Sequence, residues 1–174
     1  LIIISCKEGT MILLNTVLVA TDFGETSRAA LDYGRNLAQA FGGTLHLLHV
    51  VDAVVVASAA EFYPNSSRDT KTELIEEAHR GLDALLTRND RERLHAVPAV
   101  RASGSVAATI VEYAKQTHVD VIVVGTHGRG PIAHFFMGSV AEHVARHAPC
   151  PVLVVRPNEH EFIIPDPVGV HARI

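Results

Sequence analysis

Five short runs rich in valine, leucine and isoleucine alternate with helical patterns along this chain, and no other feature constrains its fold as much. The runs are Thr16–Thr21, Thr44–Val51, His95–Ala102, Val119–Gly125 and Pro151–Val155. Most lack polar alternation, as strands do when both faces of a parallel sheet are covered. Between them, Ala30, Tyr33, Leu37 and Phe41 form one helical stripe that Gly42-Gly43 stops. A second helix is expected over Thr70–Thr87, with Leu74, Ala78, Leu82 and Leu85 on one side and Thr70-Lys71-Thr72-Glu73 as a capping box. A third, Val106–Thr117, aligns Val106, Ile110 and Ala114. A fourth begins at Ser139 and carries Val140, Val144 and Ala148.

This alternation predicts an α/β fold: an open five-stranded parallel sheet with right-handed crossovers and helices on both faces, a Rossmann-like layout. Pro98 cannot donate a ladder hydrogen bond, so the third strand belongs at an edge. The order 3-2-1-4-5 meets that condition. It also makes strands one and four the switch point, where ligands of open α/β sheets bind beyond the strand C-termini. Those ends are Thr21-Asp22 and Gly125-Thr126.

A chain of 174 residues has room for one well-buried domain. The domain is expected over residues 16–156, with 1–15 as an N-terminal extension and 157–174, which holds Pro157, Pro165 and Pro167, as a tail. Met11 reads as the natural start. Asp52–Asp69 reads as an insertion, either a surface connection or a flap near the crevice. A net charge of −4 gives no general pull toward nucleic acid or an anionic membrane. No apolar run nears the ~20 residues of a membrane span. Cys6 and Cys150 sit in unlike contexts and suggest no disulfide framework, which favours a reducing cytoplasm. Cys150, between two prolines, reads as a small buried residue entering a strand.

The chemistry concentrates in Gly125–Val144, which holds four glycines, three histidines, one arginine and no lysine. Glycines let a ligand approach the backbone closely. Ser139-Val140-Ala141-Glu142 reads as a capping box with Ser139 at the helix start, and free N–H groups there make an anion site. A glycine-lined loop from a strand end to a helix start suits phosphate held by main-chain N–H groups. No Gly-Lys pair occurs, which excludes a Walker A loop. Gly128–Ala133 matches a dinucleotide-binding pattern literally. It follows the fourth strand rather than the first, however, and lacks the acidic residue about twenty positions on, so the match is accidental.

The spacing Gly125-x2-Gly128-x9-Gly138-Ser139 resembles the signature of the universal stress protein family, in its ATP-binding branch. The segments VLVATDFGETSRAAL, LLHVVD and GSVAEHVARHAPCPVLVVR resemble the family's as well, so the likeness runs from Thr16 to Arg156. The resemblance implies a fold like that of the adenine nucleotide alpha hydrolases and a nucleotide cleft. Asp22 would contact ribose or a phosphate-bound Mg²⁺. Ala20, Thr21, Val50 and Val124 would line the adenine pocket, and Gly125 would border the ribose. Gly128, Gly138, Ser139 and Val140 would hold phosphates, with Arg129 neutralising their charge. The family often has proline where Val106 stands, a departure expected to touch a helix start and leave the pocket unaffected.

Several of these residues have a second reading. Asp22 suits a cap of the first helix as well as a ligand contact. His127 reads equally as a phosphate contact and as a solvent-facing loop residue, and His134 reads as a surface residue. His143 and His147 lie one helical turn apart, a spacing suited to Zn²⁺ but with no third ligand evident. His46 and His49 fall on opposite faces of strand two. No tuned nucleophile and base stands near the glycine loop. The favoured function is therefore an ATP-binding regulator of a stress response. A weak ATPase or phosphotransfer enzyme and an interaction module without nucleotide are the alternatives. The last strand, Val152–Val155, is an exposed apolar edge that pairing with a second copy would cover, and the resemblance implies such homodimers.

Overall fold

A computed structural model describes residues 12–53, 67–126 and 138–156, with the backbone alone for 67–70. Strand β1 (Thr16–Ala20) runs through the middle of the sheet. Val17, Leu18 and Val19 are fully buried because helices cover both of its faces. Its neighbours are β2 (Thr44–Asp52) and β4 (Val121–Gly125), with β3 (Val97–Ser103) and β5 (Val152–Val155) at the two edges. The order is β3-β2-β1-β4-β5 and every neighbouring pair is parallel, as the sequence predicts. Pro98 pairs in register with Leu47, and its missing donor is tolerated because β3 has a neighbour on one side only.

Helices α1 (Glu25–Phe41) and α2 (Ser67–Leu85) cover one face, while α4 (Val106–Gln116) and α5 (Ser139–His147) cover the other. The cause is the hand of the crossovers. The chain steps β1 to β2 to β3 in one direction and then returns to β4 and β5, so right-handed connections must change faces. One core layer gathers Val17, Val19, Leu31, Leu45, Leu47 and Leu82. The other gathers Leu18, Leu48, Ile110, Ile122, Val124 and Val144. Each such side chain contributes about 1.5–3 kcal/mol by leaving water. Helix α1 ends where Gly42 takes φ 69° and its N–H bonds the Ala38 carbonyl, as the paired glycines predict.

Several boundaries differ from expectation. Helix α2 begins at Ser67, so Thr70 lies inside its first turn and does not cap it, and the helix ends at Leu85 rather than Thr87. Thr87 instead caps an additional short helix, α3 (Arg88–Arg93). There the Thr87 Oγ1 accepts from Asp90 N–H at 3.1 Å, and the Asp90 carboxylate accepts from Thr87 N–H at 2.8 Å. That carboxylate is buried and also receives Arg35 Nε and Nη2 at 2.9–3.1 Å. The third strand starts two residues late because His95 turns the chain at φ 46°, and the fourth starts at Val121. Leu37 and Phe41 are half-buried, while Leu31, Gly34 and Ala38 take the deeper positions of α1. Asp52 belongs to β2 and residues 67–69 to α2, and the rest of the expected insertion lies outside the described residues, as do the first eleven residues and those after Arg156. Cys150 is half-buried against the α4/α5 layer, and burial pushes its thiol pKa up.

A cleft at the switch point of the sheet

Strand β1 stops short of its neighbours. Ala20 pairs with Leu48, yet β2 continues to Asp52, and β4 runs on to Gly125 alongside β5. The Leu48 carbonyl accepts the last β1-side bond, from Thr21 N–H at 2.9 Å. Backbone groups alternate sides along a strand, so the N–H and C=O of Val50 point the same way as that carbonyl, into the space β1 has vacated. The result is a cleft of ≈ 400 Å³, within the range of small-molecule sites.

Nine of the residues singled out from sequence line this cleft. Ala20, Thr21 and Asp22 come from the end of β1, Val50 from β2, Val124 and Gly125 from β4, and Gly138, Ser139 and Val140 from the start of α5. Gly128 and Arg129 lie outside the described residues, as do His127 and His134. The cleft also takes in Ser27, Leu48, His49, Val106, Ile110 and Ala141, which were not expected there. Ile110 and Val106 were visible as an apolar helical stripe, but periodicity does not separate a residue that fills a core from one that walls a cleft. The expectation that position 106 leaves the pocket untouched is therefore wrong. Val106 opens α4 directly onto the cleft.

The floor and walls are aliphatic, and the polar groups sit at two places. One is the turn after β1. The Ser27 hydroxyl donates to the Gly24 carbonyl at 3.0 Å, so its single proton is used and the Thr21 hydroxyl donates to Ser27 Oγ at 3.0 Å. Thr21 Oγ1 accepts in turn from Phe23 N–H at 3.0 Å. Asp22 Oδ1 accepts from Gly24 N–H at 3.0 Å, while Asp22 Oδ2 is buried with no partner among the described residues. Asp22 does not cap α1. The N-cap is Gly24, which has no side-chain cap bond.

The second polar place is the start of α5, where the expected capping box is also absent. Gly138 is the N-cap, Ser139 is the first helical residue, and among the described residues no side chain caps the turn. Gly138 N–H is taken by the Thr126 carbonyl at 2.6 Å, and the first intrahelical bond runs from Glu142 N–H to Gly138 at 2.9 Å. The N–H groups of Ser139, Val140 and Ala141 precede it and carry the positive end of the helix dipole at the rim of the cleft. This is the chemistry of an anion site.

His49 Nδ1 lies 2.8 Å from the Thr21 carbonyl, and because a carbonyl only accepts, that nitrogen carries a proton. His46 faces Tyr113 on the opposite layer, its Nδ1 3.0 Å from the phenol oxygen, and burial holds its pKa below the ordinary value. The two histidines thus do lie on opposite faces of β2. His143 and His147 stack at 4.2 Å, and His147 Nδ1 donates to the His143 carbonyl at 2.8 Å. Among the described residues no group of three or more His, Cys, Asp or Glu side chains is gathered for a metal.

A β1 end, an α5 start and Gly125, Gly138 and Ser139 meet at one cleft, and the profile of the Universal stress protein family matches residues 14–156. The chain belongs to the universal stress protein family. Among its relatives, universal stress protein YxiE of Bacillus subtilis is 32% identical over 148 residues, spanning 83% of this chain and 100% of that protein. The solved structure of hypothetical protein MJ0577 superposes with a TM-score of 0.70 at 27% identity, covering 86% of this chain and 100% of that one. A universal stress protein solved in complex with cAMP shares the fold, with a TM-score of 0.55, 23% identity and coverage of 83% and 99%. Among the described residues no helix of this member is long and apolar enough to cross a membrane.

Proposed function

We propose that this universal stress protein binds an adenine nucleotide, ATP in the first instance, in the switch-point cleft and acts as a nucleotide-dependent regulator of a stress response. The observation that carries the reading is the convergence in one cleft of an aliphatic slot with a carboxylate oxygen and a helix start that have, respectively, no partner and no side-chain cap among the described residues. The slot suits a purine, and Val50 offers the donor and acceptor that an adenine edge needs. The N–H groups of Ser139 and Val140, with Gly138 beside them, suit a phosphate chain. Gly128 and Arg129 would complete that cradle.

The fit of a divalent cation rests on Asp22. A buried carboxylate oxygen left without a donor is costly unless something binds it. A ribose hydroxyl or a phosphate-bound Mg²⁺ would satisfy it, and the cation would offset phosphate charge. A member of the same fold was solved with cAMP, which supports an adenine ligand of some kind. We place the protein in the cytoplasm, as a homodimer. β5 is an edge strand whose Val152, Leu153 and Val154 remain partly exposed, and a second copy would cover it.

The test is mass spectrometry of ligand released from freshly purified, denatured protein, followed by calorimetric titration with ATP, AMP and cAMP. Release of an adenine nucleotide, or its binding with a matching shift in melting temperature, is expected. A protein that carries none and responds to none of the three would end the reading.

A further inference from the structure

Phe23 has an unusual backbone. Its φ is 66°, in the left-handed region that a bulky residue rarely adopts. It lies between Asp22, which lines the cleft, and Gly24, whose N–H holds Asp22 Oδ1. The Phe23 side chain goes to the other side of the sheet. Its ring stands 4.4 Å from the His49 ring, centroid to centroid, and packs on the layer under α1 and α2. On α2 it meets Gly81, where a β-carbon would come within 2.8 Å of the ring. His49 itself donates to the Thr21 carbonyl, one residue before Asp22.

A strained residue persists only when its surroundings over-determine it. Here the surroundings are a ring clamped between His49 of β2, which also borders the cleft, and Gly81 of α2, which does not. The Gly24 N–H to Asp22 Oδ1 bond spans residue 23, so a return of that residue to an ordinary φ would break the bond and free the carboxylate. We infer that Phe23, held by Gly81 and His49, is a positioning residue that aims the Asp22 carboxylate at the bound nucleotide. The inference rests on the nucleotide reading above. It makes α2 an energetic partner of a cleft that it does not line.

The experiment is calorimetric titration with Mg-ATP of the full chain and of Phe23→Ala, Gly81→Ala, Asp22→Asn and the two double variants with Asp22→Asn, each checked for folding by circular dichroism. Phe23→Ala and Gly81→Ala are each expected to weaken Mg-ATP binding about tenfold, the scale of coupling within one contact network. In the Asp22→Asn background the same two changes are expected to cost less than twofold, because there is no longer a carboxylate to aim. A purely structural role for Phe23 would weaken binding equally in both backgrounds, and that result overturns the inference. So does unchanged affinity in Gly81→Ala, the variant that keeps Phe23 intact should Phe23→Ala fail to fold. If the unaltered chain binds no adenine nucleotide, the functional reading fails instead, which separates the two.

Discussion

Gly125, the last residue of β4, faces the backbone of Thr26 across a gap too small for a side chain. A β-carbon built on Gly125 would stand 2.9 Å from the Thr26 carbonyl carbon and 3.0 Å from its oxygen and Cβ. The first glycine of the family's signature therefore has a packing reason apart from any ligand: it lets the first turn of α1 close down on the end of β4 and shape one side of the cleft. Gly125→Ala forces the two elements apart, and overpacking of this kind costs about 1–3 kcal/mol. A lower unfolding midpoint in urea is expected with no nucleotide present. An unchanged midpoint would mean the contact relaxes freely.

Ser139 is the residue whose role the structure alters most. Its hydroxyl caps nothing, so Ser139→Ala should leave stability within about 0.5 kcal/mol, where a lost N-cap costs about 1 kcal/mol. If the hydroxyl holds phosphate, ATP affinity falls severalfold while adenosine binding stays. Paired melting curves and titrations read both quantities.

Asp22→Asn removes the charge from a group with one unpartnered buried oxygen. The ligand-free protein should be no less stable, and Mg-ATP should bind about tenfold more weakly, the scale of a lost charge-assisted contact. The loss should shrink when magnesium is chelated. An equal loss with and without magnesium would assign Asp22 to the ribose rather than to a cation.

The Arg35–Asp90 pair gives the fold an acid limit. Burial pushes the Asp90 carboxyl up, but its bonds from Arg35 and from Thr87, with the Arg35 charge, outweigh that and hold its pKa below the usual carboxylate range. A depressed native value stabilises the fold fully above the unfolded pKa of about 3.9 and loses that contribution as pH falls through the native value. Asp90→Asn should flatten the stability curve below about pH 4 and lower it at neutral pH. A variant whose acid limb matches the parent would remove the pair from that role.

The exposed edge at β5 predicts association. Leu153→Glu sets a charge on that strand, and the proposed dimer should give way to monomer in sedimentation while circular dichroism stays native. A dimer that survives the change would move the interface elsewhere.

Much of this was legible in the residues. Parallel strands buried on both faces cannot alternate in polarity, so β1, β2 and β4 show themselves by composition, and Pro98 alone was enough to send β3 to an edge. Sheet order and switch point followed, and the glycine spacing marked which strand end and which helix start would meet. Helix caps were not legible. Whether Ser139 or Gly138 ends the loop depends on where Thr126 anchors the chain, a contact across twelve positions that no local pattern carries. Nor did the helical stripe of Val106 and Ile110 say whether they fill a core or wall a cleft. That depends on β1 stopping at Ala20 while its neighbours run on.

Sequence by itself thus determined the layers, their order and the rim of the cleft, because hydrophobic period and backbone stereochemistry act over a few residues. Tertiary structure decided the rest: an unpartnered oxygen on Asp22, a left-handed Phe23 and a helix start without a cap. Each of these is set by what packs against the residue from a distant part of the chain.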